Sequence, residues 1–312
     1  MPKLLLIQPT QYGKDGELLK QKRINLPGLV FPLLASMTPK EWEIQVKLEV
    51  VDEITFDEDA DLVGIGSMGH AIHRAIDIAL EFKKRGKVVF MGGYMASIVP
   101  NKVLEKGIDS VVIGDAEYSF PQLLHDFQNG GLKKIYDMPI HSLKDIPIPK
   151  YEILLKKPIG KMLPVQAARG CPHKCSFCSI AALYDGRYIT RDLKDVIRDI
   201  LEIKRLGFKA FYIVDDNIAG RLEYLRELAR AVKPLKMWWA TQCTLNISRN
   251  PELLKEVAES GCKILSLGIE SITQEGLDKL NKAWVKVNDH ELLLKRIKDA
   301  GIMPSTEMMV GT

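Results

Sequence analysis

The sequence predicts an α/β protein built from two successive units. The first is an N-terminal flavodoxin-like (Rossmann-type) doubly wound domain, and the second is a partial (β/α) TIM-like barrel that lacks its last unit. Short, continuous apolar runs alternate with amphipathic stretches in both halves, which is the pattern of parallel strands covered by helices. A proline-rich stretch interrupts this alternation near the middle of the 312 residues, where one unit should end and the next begin.

The first half contains five predicted strands, each short and rich in apolar or β-branched residues. They lie at residues 3–8, 45–51, 61–66, 87–91 and 110–114. The stretches between them have helical character at residues 27–37, 71–85, 100–106 and 117–127. Strands linked by such crossovers form a doubly wound sheet, a fold that binds ligands at the carboxyl ends of its strands.

The proline-rich stretch sets the predicted domain boundaries. Proline at this density ends helices and central strands, so we predict domains at 1–135 and 161–312 joined by an ordered linker at 136–160. The second domain has predicted strands at 163–168, 210–215, 237–242, 263–268 and 303–310. Its predicted helices lie at 192–206, 221–232, 251–260, 274–282 and 288–300. Repeated βα units of this kind build a barrel whose chemistry lies at the carboxyl ends of its strands.

The composition argues against several classes of protein. Hydrophobic residues make up 46% and charged residues 27% of the chain, as in ordinary globular proteins. A net charge of +4 is too weak to indicate a nucleic-acid partner. No apolar run reaches the ~18 residues of a membrane span, and the first apolar run is too short for a signal peptide. All five cysteines follow residue 170, and their spacing predicts metal binding in a reducing compartment, the cytoplasm.

Three of the cysteines form the most informative motif. Cys171, Cys175 and Cys178 have C-x3-C-x2-C spacing. A cubane iron-sulfur cluster takes four thiolates, so three leave one iron free to bind another molecule. The alternative interpretation is a structural zinc site with His173 or a distant cysteine as the fourth ligand. In that case the protein would be a zinc-stapled binding module.

The run from Arg169 to Cys178 resembles the signature of the radical SAM enzymes, whose 4Fe-4S cluster binds S-adenosylmethionine through its free iron. The resemblance implies Cys171, Cys175 and Cys178 as cluster ligands. It also implies contacts to S-adenosylmethionine from Phe177, Asp215, Asp216, Asn217, Glu270 and Ser271. Radical SAM barrels commonly have six units, whereas this chain stops after its fifth predicted strand. We therefore expect the natural protein to continue beyond residue 312.

Three segments of the first half, residues 62–67, 90–94 and 112–117, resemble the cobalamin-binding domain that precedes many radical SAM domains. Asp115 and Ala116 depart from the family's usual Gly-Glu-Gly-Glu-like turn, and the Asp-x-His-x-x-Gly motif of other cobalamin enzymes is absent. The resemblance implies cobalamin contacts at the carboxyl ends of the strands, from Gln8, Pro9, Thr10, Ser67, Met68, His70, Gly92, Gly93, Tyr94, Gly114 and Glu117.

Together these resemblances imply a cobalamin-dependent radical SAM enzyme. We favour a methyltransferase that acts on an unactivated carbon through a 5′-deoxyadenosyl radical and methylcobalamin. A non-methylating relative that performs cyclisation, ring contraction or coupling is the alternative. An external electron donor is implied as a partner. A peptide or protein, a lipid, a tetrapyrrole and a small molecule all remain open as substrates, and specificity depends on parts that the motifs do not define.

Overall fold

The computed structural model describes residues 1–311, and these form two compact units. Met1–His141 and Ile146–Gly160 make up the first unit, and Ser142–Asp145 with the chain from Lys161 onward make up the second. Each unit contains a parallel sheet flanked by helices, which confirms the predicted fold class. Within residues 1–311 no helix is both long enough and apolar enough to cross a membrane.

The first unit has a six-stranded parallel sheet in the order β2-β1-β3-β4-β5-β6. This is the flavodoxin order with one more strand at the edge. Leu4, Leu5, Leu6 and Ile7 of β1 are at most 1% exposed, as a central strand covered on both faces requires. The strands are β1 (Lys3–Gln8), β2 (Glu43–Leu48), β3 (Leu62–Gly66), β4 (Val88–Gly92), β5 (Ser110–Ile113) and β6 (Ile135–Asp137).

The helices of the first unit are α1 (Val30–Met37), α2 (Ile72–Lys84), α3 (Tyr94–Ile98), α4 (Pro100–Leu104), α5 (Ala116–Gln128) and α6 (Glu152–Leu155). Four of them coincide with the predicted helical stretches. Helices α3 and α6, of five and four residues, were not predicted, because neither short segment shows a helical period of its own. Residues 146–160, which include α6, belong to the first unit.

Residues 161–311 contain seven strands: β7 (Met162–Val165), β8 (Ala168–Gly170), β9 (Tyr188–Thr190), β10 (Ala210–Ile213), β11 (Trp238–Cys243), β12 (Cys262–Glu270) and β13 (Met303–Met308). Five of them form a parallel sheet in the order β7-β10-β11-β12-β13, as the predicted barrel units require. Strand β8 instead pairs antiparallel with β9. The strand predicted at 163–168 is confirmed as β7 but is wrong in its extent, because the chain leaves the sheet after Val165.

The helices of the second unit are α7 (Ser179–Tyr184), α8 (Leu193–Arg205), α9 (Leu222–Val232), α10 (Pro251–Glu259), α11 (Gln274–Lys279) and α12 (His290–Asp299). Helix α7 was not predicted. The sequence pattern extends α11 to residue 282, whereas the structure ends it at Lys279. Asn281 then has a φ of 54°, in the left-handed region that commonly terminates helices. Because the helix ends there, residues 282–284 can turn toward the site described below.

Close packing in the first sheet gives a test of the fold. A Cβ on Gly64 of β3 would lie 2.6 Å from Phe90 Cε1 and 2.9 Å from Leu6 Cδ2. Because both neighbours are themselves buried, we expect Gly64→Ala to lower the free energy of unfolding by about 1–3 kcal/mol. Gly28→Ala is the control, since nothing lies within 4 Å of its Cβ position. Urea unfolding measures both, and equal midpoints for the two variants would contradict this packing.

Candidate functional site

Cys171, Cys175 and Cys178 lie on a loop that follows β8 and runs into α7, which we call the cysteine loop (residues 171–178). All three thiols are free and half-buried. The loop closes on itself through a hydrogen bond from Cys178 N to Cys175 O, at 3.2 Å. Asn217 Nδ2, which follows β10, lies 3.5 Å from Cys171 Sγ. The loop thus presents three thiols from a short stretch of chain.

Two aspartates fix the chain as it enters the cysteine loop. Asp215 is fully buried, and its Oδ1 accepts a hydrogen bond from Ala167 N at 2.7 Å, where the chain leaves the sheet. Asp216 Oδ2 accepts one from Gly170 N at 2.8 Å. Gly170 has a φ of 80°, and a Cβ there would collide with Arg187 O. These contacts direct the backbone out of β7 and toward Cys171.

A buried polar network also supports the turn at residues 166–167, which precedes the cysteine loop. Arg191 Nη1 donates to Gln166 O at 2.8 Å and to Asp199 Oδ2 at 2.9 Å. Tyr224 OH lies 3.0 Å from Ala167 O and 2.9 Å from Arg191 O, so its one proton is shared between the two carbonyl oxygens. The network joins α8 and α9 to the turn that precedes the cysteines.

Residues 279–284, which we call the 279–284 segment, hold the cysteine loop from the other side. Ser176 N donates to Leu280 O at 3.1 Å, and Asn281 Nδ2 donates to Lys174 O at 2.6 Å. These two hydrogen bonds hold Lys174 and Ser176, the residues on either side of Cys175. The ring of His173 stacks on that of Trp284, with centroids 3.7 Å apart and planes 9° apart. His173 therefore packs as an aromatic surface, which argues against its role as a fourth zinc ligand.

Burial dominates the electrostatics of the thiols. It raises the pKa of Cys171 and, against the opposing charge of Lys282, that of Cys175. It also raises the pKa of Cys243 to about 12 and that of Cys262 further still. Unlike the loop cysteines, Cys243 and Cys262 are each at most 5% exposed. We read these last two as core thiols rather than further metal ligands.

The donor set can be tested against the two metal sites considered above. Within residues 1–311, no group of three or more His, Cys, Asp or Glu is arranged around a position for a single metal ion. A zinc site needs four ligands at about 2.0–2.3 Å from one atom. A cubane cluster instead takes thiolates spread over separate irons. Three half-buried thiols on one loop match the ligand number of a cluster with one free iron and are one ligand short of a closed tetrahedral zinc site.

The residues predicted to contact S-adenosylmethionine lie at the carboxyl ends of β10 and β12 and on the cysteine loop. Phe177 is 42% exposed beside Cys178. Glu270 ends β12 with a φ of 66°, and Ser271 Oγ lies 3.2 Å from Thr273 Oγ1. The carboxylates of Asp215 and Asp216 each hold a backbone N–H through one oxygen, and Asn217 Oδ1 accepts from Ala219 N and Thr244 N, both at 3.2 Å. Their contact with S-adenosylmethionine stays a prediction.

The residues predicted to contact cobalamin lie in the turns after β1, β3, β4 and β5. Met68 and His70 are exposed, while Ser67 is buried and donates from N to Gly92 O at 2.9 Å. Gln8 is the last residue of β1, while Pro9, Thr10, Gly93 and Gly114 lie in the turns, and Tyr94 and Glu117 lie in the first turns of α3 and α5. The parallel sheet brings all these turns to one edge, and their role as cobalamin contacts stays a prediction.

Two sets of hydrogen bonds that support this edge of the sheet were not predicted from the sequence. Ser97 of α3 joins two glycine turns, because its Oγ donates to Gly93 O and accepts from Gly114 N, both at 2.9 Å. The buried Glu49 accepts from Thr10 N at 3.0 Å and from Arg74 Nε at 2.9 Å. A lone serine and a single Glu-Arg pair carry no motif, so only the fold reveals these contacts.

Known families match both units. Residues 165–312 match the radical SAM superfamily, and residues 38–124 match the B12 binding domain. The chain belongs to the radical SAM superfamily, in the group whose members carry a B12-binding domain ahead of the radical SAM domain. A radical SAM domain implies a 4Fe-4S cluster and S-adenosylmethionine, and a B12-binding domain implies cobalamin. The predicted recognition and cofactors are thereby confirmed at the level of the family.

Individual proteins agree with this assignment. The chain is 32% identical over 283 residues to bacteriochlorophyllide d C-8(2)-methyltransferase of Chlorobaculum tepidum, which covers 86% of this chain and 62% of that protein. The chain thus spans about three fifths of that relative's length. The structure of the radical S-adenosylmethionine methyltransferase TsrM from Kitasatospora setae, with cobalamin and a 4Fe-4S cluster bound, matches with a TM-score of 0.74 at 18% identity. That match covers 99% of this chain and 69% of TsrM, and at this identity it shows the fold.

A further solved structure shares this fold. The cobalamin-dependent S-adenosylmethionine radical enzyme OxsB, with aqua-cobalamin and S-adenosylmethionine bound, matches with a TM-score of 0.75 at 15% identity. The match covers 99% of this chain and 49% of OxsB. Both solved structures therefore share the fold of this chain.

The buried aspartate at the entrance to the cysteine loop predicts a pH effect on stability. Burial raises the pKa of Asp215 from 3.8 to about 7 in the folded protein. Between these pH values the native state binds more protons than the unfolded chain, so its stability falls as the pH rises through that window. Asp215→Asn removes this titration. We expect the unfolding midpoint in urea of the wild type, relative to Asp215→Asn, to fall between pH 5 and pH 7.5.

Asp57→Asn, at an exposed aspartate of the first unit, is the matched control and should show no such relative change. If wild type and Asp215→Asn instead kept a constant difference over this range, the raised pKa would be wrong.

The glycine turns predict an effect on cobalamin binding. Gly93 has a φ of 92°, and a Cβ there would collide with Ser67 O. Gly93→Ala should therefore distort both turns and weaken binding of hydroxocobalamin about tenfold, a loss of about 1.4 kcal/mol. Gly86→Ala has a similar positive φ of 73° but open space around it, so it controls for backbone strain alone. Absorbance titration measures both, and unchanged affinity of Gly93→Ala would refute the placement of cobalamin at this edge.

Proposed function

We propose that the protein is a cobalamin-dependent radical SAM methyltransferase that methylates an unactivated carbon. The observation that carries the proposal is the presence in one chain of a B12-binding domain and a loop that offers three thiols to an iron-sulfur cluster. The named activity of the 32% identical relative supports methyl transfer. A methyl donor and a radical generator are the two components that this reaction needs.

The residues of the chain have distinct parts in this proposal. When bound, the cluster supplies the electron that cleaves S-adenosylmethionine, and cobalamin carries the methyl group. Cys171, Cys175 and Cys178 hold the cluster, and the three-thiol set leaves one iron for S-adenosylmethionine. Glu270, as a carboxylate near Cys175, is suited to anchor a cationic or hydroxyl-bearing part of S-adenosylmethionine.

Glycine turns at the carboxyl edge of the first sheet allow the backbone to approach the flat face of cobalamin. Gly93 and Gly114 have positive φ angles of 92° and 68°. Ser97 makes hydrogen bonds to both turns, and these features fix the shape of this edge before cobalamin binds. The chain therefore supplies placement and orientation, while the bound groups supply reactivity.

An external low-potential reductant has to deliver the electron, and we propose that it does so in the cytoplasm. The five cysteines are free in the structure, which fits a reducing compartment. The proposed partner is therefore an electron donor of that compartment.

The number of products distinguishes methyl transfer from its alternative. In an anaerobic incubation with S-adenosylmethionine, hydroxocobalamin and dithionite, a methyltransferase forms S-adenosylhomocysteine as well as 5′-deoxyadenosine. A non-methylating enzyme of the same family forms 5′-deoxyadenosine alone. Chromatography of both products from the 312-residue protein is the test. At least one equivalent of S-adenosylhomocysteine per bound cobalamin supports the proposal, and its absence beside 5′-deoxyadenosine refutes it.

Replacement of single cysteines tests the cluster assignment. Cys171→Ala, Cys175→Ala or Cys178→Ala should each abolish both the visible absorbance of the reconstituted cluster and 5′-deoxyadenosine formation, because two thiolates cannot hold the cubane. Cys262→Ala is the control, since this buried thiol lies on β12 and outside the cysteine loop. Retention of iron and of 5′-deoxyadenosine formation in a loop variant would count against the assignment.

A further inference from the structure

Lys282 is a buried lysine that the predicted function does not use. Its side chain is 5% exposed, and its Nζ donates to Gly268 O at 2.8 Å and to Glu270 Oε1 at 3.0 Å. The Glu270 side chain is 11% exposed. Burial of an ion pair removes much of the water around both charges, and this desolvation costs free energy. Buried pairs of this kind are therefore uncommon.

The end of β12 is shaped to accept this pair. A Cβ on Gly268 would collide with the Glu270 carboxylate and lie 2.9 Å from Lys282 Nζ, so only glycine leaves room. The pairing of β12 with β13 shifts register between Gly268 and Glu270, and Glu270 has a φ of 66°. A non-glycine residue in this conformation stores strain, which the surrounding contacts must offset.

The ion pair is tied directly to the cysteine loop. Asn281, the residue before Lys282, donates to Lys174 O, and Leu280 O accepts from Ser176 N. Both neighbours of Cys175 are thus bonded to the two residues that precede Lys282. Trp284, two residues later, stacks on His173, and the centroid of its ring lies 5.7 Å from Lys282 Nζ. The buried charges and the metal-binding loop are therefore held together by one short piece of chain.

We propose that the charge of Lys282, with Glu270 as its counter-charge, sets the reduction potential of the iron-sulfur cluster held by the cysteine loop. This inference rests on the proposed function only in that a cluster binds Cys171, Cys175 and Cys178. Reduction adds one electron from the external donor to the cluster, with no bond made or broken. A nearby cation favours the more negative reduced state, and a nearby anion opposes it. Because both charges are shielded from water, their effects are large.

The two charges predict opposite effects, which a loss of packing would not produce. Lys282→Gln removes the cation and leaves Glu270 unpaired, so it should lower the potential and decrease the reduced-to-oxidised ratio about tenfold at a fixed applied potential. A tenfold change is about 59 mV for one electron. Glu270→Gln should raise the potential and increase that ratio. Lys282→Arg keeps the charge and should stay close to the wild type.

Lys279→Gln is the matched control, because it removes the same charge from the same segment at a side chain that is 63% exposed. Its effect should be small, since water and salt screen exposed charges. The experiment is a potentiometric titration of the reconstituted, cobalamin-loaded protein, followed by electron paramagnetic resonance of the reduced cluster. Iron content and circular dichroism are recorded for each variant.

Opposite shifts in Lys282→Gln and Glu270→Gln, with little change in Lys279→Gln, support the proposal. Shifts of the same sign, or a shift in Lys279→Gln as large as that in Lys282→Gln, overturn it. If Lys282→Gln does not assemble a cluster, Glu270→Gln decides alone: a raised potential supports the proposal and an unchanged one overturns it. Methyl transfer is assayed separately, so the wild type can fail to form S-adenosylhomocysteine while these potentials still shift as expected.

Discussion

The shape of the cysteine loop is the constraint on which the site depends. Residues 171–178 have little regular structure of their own, so contacts from other elements must hold the three thiols in place. Asp215 and Asp216 fix the chain before Cys171, and the 279–284 segment grips both sides of Cys175. The loop is thus preorganised by the carboxyl end of β10, the edge at which barrel chemistry occurs, and by the 279–284 segment that follows α11.

This arrangement gives the aspartates after β10 a structural part that the motif alone does not show. At the sequence level they are candidates to contact S-adenosylmethionine. In the fold, one oxygen of each holds the backbone that leads to the first cysteine, and the full burial of Asp215 raises its pKa. Replacing either aspartate would therefore remove a backbone contact at the cysteine loop as well as any contact with S-adenosylmethionine. Loss of activity after their replacement would therefore need a cluster measurement to be interpreted.

The alternation of strands and helices could be predicted from the sequence because parallel strands covered on both faces leave long apolar runs, such as Leu4 to Ile7. The cysteine spacing likewise predicts its chemistry without any fold. Lys282 could not be identified in this way, since the helical pattern continues past Lys279 and places it on an ordinary polar face. Only the left-handed turn at Asn281 brings it inward. Contacts between distant segments, such as those of Ser97 or Glu49, leave no local pattern at all.

In the proposed function, three thiolates hold a four-iron cluster in which one iron has no protein ligand. Mössbauer spectroscopy of the protein reconstituted with 57Fe tests it most directly, with spectra recorded before and after addition of S-adenosylmethionine. We expect one iron in four to change its isomer shift when S-adenosylmethionine binds, while the other three do not. Four irons that stay equivalent, or a protein that binds one zinc ion in place of iron, would contradict it.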